Sequence, residues 1–115
     1  MGCAQQQGSQ ALNIGRLGGI AAGLPNTVSG MTIDRQCSSG LMAIATASKQ
    51  IITDNMDVVV AGGVESISLV QTAEMRLDID PNVASNAKHA YMPMIETADH
   101  VAEKYNISRN SQDEY

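Results

Sequence analysis

The chain has 115 residues, 43% of them hydrophobic, and a formal net charge of −5. That size holds one domain at most, with enough apolar residues for a globular core. It carries no basic stripe of the kind a nucleic-acid backbone requires, no apolar run approaching a membrane span and no secretory h-region at its start, so it reads as a soluble intracellular protein. The apolar set lacks Phe and Trp and is built from Ala, Gly, Ile, Val and Met. Small side chains suit helices packed closely against a sheet. The missing aromatic burial points to packing against something beyond this chain.

Charge divides the chain. Residues 1–63 balance Arg16, Arg35 and Lys49 against Asp34, Asp54 and Asp57, whereas residues 64–115 hold four basic and nine acidic residues. The change of character predicts a boundary near Gly63.

In chain order, residues 9–23 read as a helix with Ser9 as N-cap and Gly23 and Pro25 as its stop. Residues 28–34 read as a strand. Residues 38–53 give a second helical pattern through Leu41, Met42, Ile44, Ala45, Ala47, Ile51 and Ile52, ended by Asp54-Asn55. The β-branched run of residues 57–62 reads as a short strand covered on both faces. Strand, helical crossover and strand make a βαβ unit of a mostly parallel sheet, hence the α/β class. Residues 64–95 lose periodicity and read as a long excursion with short helices. Residues 96–105 form an amphipathic helix. Ser108 caps a last helix with Asp113 and Glu114 in its first turns. Low-complexity tracts and internal repeats are absent, apart from Gln5-Gln6-Gln7, which is too short to matter.

Two cysteines, Cys3 and Cys37, form no CxxC pair and have no Cys/His cluster beside them, which argues against a metal site. An intracellular setting argues against a disulfide. Cys3 reads as a packing residue. Cys37 stands at the junction of the first predicted strand and the second predicted helix. A thiol there meets the unpaired N–H groups and positive end of a helix, which favour the nucleophilic thiolate. The N–H groups of that first turn can also support an oxyanion. Turn geometry alone leaves a buried packing cysteine equally open. His89 and His100 both lie in the second half and supply no evident base. Arg35 reads as a salt-bridge partner, possible at a dimer interface, and Glu65 as an acceptor for nearby backbone N–H groups. Gly62-Gly63 lacks the Lys-Ser/Thr of a phosphate loop.

Three runs carry a family resemblance: Ala22-Gly23-Leu24-Pro25, Cys37-Ser38-Ser39-Gly40-Leu41-Met42-Ala43-Ile44 and Val60-Ala61-Gly62-Gly63-Val64-Glu65-Ser66-Ile67-Ser68. Together with Ser108-Arg109 and Gln112-Asp113 they resemble, in order and spacing, the N-terminal half of thiolases. The resemblance implies a duplicated α/β fold with a loop domain inserted in the first half. Residues 1–63 would then be part of the N-terminal α/β domain and residues 64–115 the start of the loop domain. It also implies that Met1-Gly2 ends an internal strand and that the chain is an internal piece of a longer protein.

The same resemblance implies acyl transfer between 3-oxoacyl-CoA and CoA. Cys37 would be the acyl-thioester nucleophile, with its backbone N–H in an oxyanion hole, and Met94 would line the acyl pocket. The activating His and second Cys would come from a C-terminal half. Coenzyme A would be a substrate, with no prosthetic group. A homodimer or homotetramer is implied; the expected location is the cytoplasm for a bacterial source, with mitochondria or peroxisomes left open. Ile67 and Ile95 depart from the family's usual Met and Gly, and Ile95 alters the wall of the implied pocket. A ketoacyl-synthase-like condensing enzyme and a non-catalytic piece are the alternatives.

Overall fold

A computed structural model describes residues 1–75 and 78–115. The chain forms two compact units, Met1–Met75 and Arg76–Tyr115. Glu65 and the helix Ile67–Val70 belong to the first of these, although the acidic character begins at Val64.

The first unit is organised about three residues. The segment 1–3 lies between two others that run parallel to it, with Gly2 bridging Ile33 on one side and Gly63 on the other. On one side the Gly2 N–H donates to the Gly62 carbonyl at 2.8 Å and the Val64 N–H to the Gly2 carbonyl at 3.0 Å. On the other, the Ile33 N–H donates to the Met1 carbonyl at 2.9 Å and the Cys3 N–H to the Ile33 carbonyl at 3.0 Å. This is the slanted pattern of parallel pairing.

The expected strands over 28–34 and 57–62 are therefore seen only as bridges at Ile33 and Gly63, and no longer strand is formed among the described residues. The two also do not pair with each other, because residues 1–3 separate them. The physical limit is the short middle segment: residues 1–3 make two hydrogen bonds to the 62–64 segment and three to the 31–33 segment, the third from the Met1 amino group to the Met31 carbonyl at 2.9 Å. The expectation that residues 57–62 are covered on both faces is also corrected. Val58 is 79% and Val60 87% exposed, and only Val59 and Gly62 of these residues are half-buried.

The first predicted helix is shorter than its pattern. A 3-10 turn at Gly8–Gln10 contains Ser9, and helix α1 runs over Ile14–Ala21. Leu12 breaks the continuity at φ 63°, and Asn13 rather than Ser9 is the N-cap, its Oδ1 accepting the Arg16 N–H at 3.1 Å. Asn13 also donates through Nδ2 to the Gly30 carbonyl at 2.7 Å, and Thr32 Oγ1 accepts the Gly15 N–H at 3.1 Å. These bonds dock the start of α1 on the segment before Ile33. The approach is backbone on backbone: a Cβ on Gly15 would stand 2.3 Å from the Met31 carbonyl oxygen, and one on Gly30 2.5 Å from the Arg16 backbone. At the other end, α1 stops where the sequence expects, before Gly23 at φ 73°.

Helix α2 covers Ser39–Asp54 and ends at Asn55 in the left-handed conformation, as the Asp54-Asn55 signal predicts. Ala43 is buried, while Leu41, Ile44 and Ile52 are 72%, 54% and 79% exposed. The small side chains among residues 38–53 predict a helix buried on more than one side, which is not met within this unit. Helix α3, Ile67–Val70, closes the unit with Val70 buried.

The second unit contains α4 at Pro81–Asn86, α5 at Met94–Lys104 and α6 at Arg109–Glu114. Asp80 caps α4 by accepting the Asn82 and Val83 N–H groups at 2.8 and 3.1 Å, with Pro81 at the first helical position. Helix α5 begins two residues earlier than predicted, directly after Pro93. Ser108 caps α6, its Oγ accepting the Ser111 N–H at 3.2 Å. Asp113 does not act on the helix dipole as expected; it pairs with Arg109 one turn back. No helix among the described residues is long and apolar enough to cross a membrane.

A methyl group on Gly2 would meet Ser39 backbone atoms at 2.5 and 2.6 Å, which cannot yield without moving α2. Gly2→Ala is expected to cost on the order of 3 kcal/mol, read as a fall in the urea midpoint at unchanged slope.

Candidate active site

Cys37 sits in a 3-10 turn, Gln36–Ser38, immediately before α2, and is exposed. The expected strand-to-helix junction is therefore a distinct turn, with Cys37 two residues ahead of the helix proper. Side chains on either side hold this turn. The Gln36 N–H donates to Asp34 Oδ1 at 2.8 Å. The Ser39 hydroxyl accepts the Arg35 N–H at 2.9 Å and donates to the Gln36 carbonyl at 2.6 Å. Gln36 itself stands at φ 49°, a conformation uncommon outside glycine.

Cys37 opens on a cleft of about 430 Å³ that Gly2, Ala4, Gln5, Gly63, Val64, Glu65 and Ile67 line together with Gln36, Ser39 and Gly40. The first residues of a 16-residue helix thus form one wall. Their N–H groups and the positive end of the dipole favour negative charge on a bound group. An exposed thiol beside such a wall is suited to attack a carbonyl and to have the resulting oxyanion supported.

The opposite wall is tied down by Glu65. Its carboxylate accepts the Ala4 N–H at 2.8 Å, the Gln5 N–H at 3.2 Å and the Gln10 side-chain amide at 2.7 Å. The expectation that Glu65 serves backbone N–H groups is met. Those bonds, the Ala4 N–H foremost, hold its carboxyl below its ordinary value. Gln10 is buried, and besides Glu65 it reaches the Gln5 carbonyl at 2.9 Å and takes the Ser66 N–H on its own carbonyl. Gln7 Nε2 donates to the Val70 carbonyl at 3.1 Å. The glutamine tract therefore matters at Gln7, whose side chain with that of Gln10 ties residues 3–10 to 65–70, whereas Gln5 contributes only its backbone N–H and carbonyl and its Oε1 is buried without a hydrogen-bond partner among the described residues. Gln10 gave no signal in the sequence, since a lone Gln in a polar stretch has no periodic or motif signature.

Cys3 is fully buried, as a packing residue should be, and its Sγ also lies 3.7 Å from Glu65 Oε1 and 3.5 Å from Gln10 Nε2. Burial, and then the negative charge of Glu65, push its thiol up. Arg35 makes no ion pair among the described residues; its Nη1 meets Met42 Sδ at 3.2 Å. Met94, His89 and His100 belong to the second unit. There Met94 is 72% exposed and lines an apolar groove of about 340 Å³ with Thr97, Ala98, Val101, Ala102, Ile107 and Gln112. Ile95 beside it is 79% exposed.

The thiolase N-terminal domain family model matches residues 1–115, the whole chain. The chain belongs to the thiolase family. It is similar to the 3-ketoacyl-CoA thiolase of Bacillus subtilis (strain 168), with 44% identity over 117 residues, covering 100% of this chain and 29% of that protein. A beta-ketoadipyl-CoA thiolase of Pseudomonas putida is 38% identical over 132 residues, covering 99% of this chain and 32% of that protein. A 3-ketoacyl-CoA thiolase of Acinetobacter baumannii (strain AYE) is 38% identical over 114 residues. The chain thus spans about a third or less of the length of these curated relatives. Within this thiolase-family chain, the cleft brings together the Cys37 run and the Gly63-Val64-Glu65 run, the two parts of the sequence that carry the resemblance most specifically.

Two expectations follow for this chain. In the folded protein, iodoacetamide should modify Cys37 and spare Cys3 until denaturant is added, as read by peptide mass spectrometry. Because the Glu65 value is lowered on folding, its contribution is present above its ordinary value of 4.5 and is lost as pH falls through the lower folded-state value. Glu65→Gln should flatten the acid limb of stability below about pH 4.5, read as urea midpoints across a pH series.

Proposed function

We propose that this chain carries the nucleophile half of a thiolase-type acyltransferase site, working as part of a longer protein. The observation that carries the reading is the exposed Cys37 thiol, on a braced turn, facing a cleft walled by the start of α2. In this reading the Cys37 sulfur attacks the 3-keto carbonyl of a 3-oxoacyl-CoA. The C2–C3 bond breaks, its electron pair leaves with C2, and a proton delivered to C2 completes acetyl-CoA. The acyl group stays on Cys37 as a thioester until the thiol of CoA takes it and the Cys37 thiol is restored. Run backwards, the same steps are a Claisen condensation.

The Cys37 backbone N–H contributes to an oxyanion hole. Met94 lines the acyl pocket, with Ile95 beside it. A His and a second Cys outside these residues activate Cys37 and move the proton at C2. Coenzyme A is a substrate, and no prosthetic group takes part. Residues 1–63 belong to the α/β domain and residues 64–115 begin the loop domain. The assembled protein is a homodimer or homotetramer, cytoplasmic in a bacterial source.

The test uses the full-length protein incubated with acetyl-CoA and then digested. The mass of one acetyl group should appear on the peptide that holds Cys37. It should vanish in Cys37→Ser and persist in Cys3→Ser. Label on Cys3, or no label on any cysteine, would sink the proposal.

A further inference from the structure

We infer that Ser39 is a positioning residue for Cys37, acting through the backbone of Gln36 and not by touching substrate. The inference rests on the reading of Cys37 as nucleophile. Three observations carry it. Ser39 is 5% exposed, whereas its neighbours Cys37 and Ser38 are exposed, so its hydroxyl must find partners within the protein. Those partners are not the free N–H groups of α2 that a capping serine would serve. The hydroxyl points backwards along the chain, accepting the Arg35 N–H at 2.9 Å and donating to the Gln36 carbonyl at 2.6 Å. The residue it grips, Gln36, stands at φ 49°, where a side-chain-bearing residue persists only if its surroundings hold it there.

Gln36 is held from both directions. Asp34 Oδ1 takes its N–H at 2.8 Å, and Ser39 takes its carbonyl. The next residue is Cys37. The left-handed turn at Gln36 therefore fixes the direction in which the Cys37 side chain leaves the backbone. Ser39 is fixed in turn, because its own backbone lies where a Cβ on Gly2 would come within 2.6 Å. The line runs from the central segment through Ser39 and Gln36 to the thiol. The Gln36 carbonyl also accepts the Ser39 backbone N–H, so loss of the hydroxyl leaves it one bond from Ser39 in place of two and takes away the acceptor of the Arg35 N–H; with the turn held more loosely on the α2 side, Gln36 relaxes toward ordinary backbone angles.

Three variants test this: Ser39→Ala, Ser39→Thr, which keeps a hydroxyl, and Asp34→Ala, which loosens Gln36 from the exposed side. In the labelled chain, the strong intraresidue HN–Hα cross-peak of a positive φ at Gln36 should weaken in Ser39→Ala and Asp34→Ala and return in Ser39→Thr. In the full-length protein, Ser39→Ala should lower kcat for acyl transfer by about tenfold to a hundredfold with KM within about twofold, and Ser39→Thr should restore most of it. A folded Ser39→Ala that keeps the Gln36 signature, or keeps kcat within about twofold, overturns the inference. If Ser39→Ala does not fold, Asp34→Ala decides by the same two readouts. If wild-type Cys37 takes no acyl group, the functional reading fails by itself. The Gln36 signature and the iodoacetamide rate at Cys37, expected to fall several-fold in Ser39→Ala, then decide the positioning role.

Discussion

The first unit depends on the absence of a side chain at Gly2. Its backbone bridges Ile33 and Gly63 at once, and its Cα lies against the start of α2 at Ser39-Gly40. Parallel neighbours are normally brought together by long crossovers, and their pairing is slightly weaker per residue than antiparallel pairing. Here the ladder is two hydrogen bonds long on one side and three on the other. So short a ladder gains little by itself. The close approach to α2 supplies the rest, bringing residues 1–3, 62–65 and 36–40 to one place. The cleft forms where those three pieces meet.

That convergence explains the polar network around Glu65. Residues 3–10 leave the bridged segment as irregular chain, and their N–H groups need acceptors. Glu65 stands one residue past the Val64 bond to Gly2 and offers a carboxylate to Ala4 and Gln5. Gln10 closes the circuit, donating to Glu65 and accepting from Ser66. Charge-assisted bonds of this kind are stronger than neutral ones, which is why the Glu65 carboxyl is held in its ionised form. A carboxylate committed to three N–H donors is a poor candidate for an acid or base. Its role at the cleft is to keep one wall still.

Much of this was legible in the sequence where local rules decide the outcome. The α2 pattern, its left-handed stop at Asn55, the Ser108 cap and the amphipathic α5 all depend on residues within a turn or two of each other. Failures came where a distant contact overrides a local preference. Ser9 looks like an N-cap, but Asn13 takes that role because it can also reach Gly30 and Thr32. The run Val58-Val59-Val60 has the composition of a covered strand, but composition cannot say whether this chain supplies the cover. The motif marks Cys37 as a candidate nucleophile. It does not show the bracing by Asp34 and Ser39, because a left-handed glutamine has no sequence signature.

The two thiols show how much surroundings decide. Cys3 and Cys37 each lie within a residue of a bridge or turn about Gly2, yet their environments are opposite. Cys3 continues the central segment into the core, where burial and the Glu65 carboxylate both oppose its ionised form. A thiol kept protonated and out of solvent is inert toward electrophiles. Cys37 leaves the fold at a turn that Asp34 and Ser39 brace through its backbone, and it is exposed on the cleft that the start of α2 walls. The same central segment that buries one cysteine thus anchors, through Ser39, the turn that exposes the other.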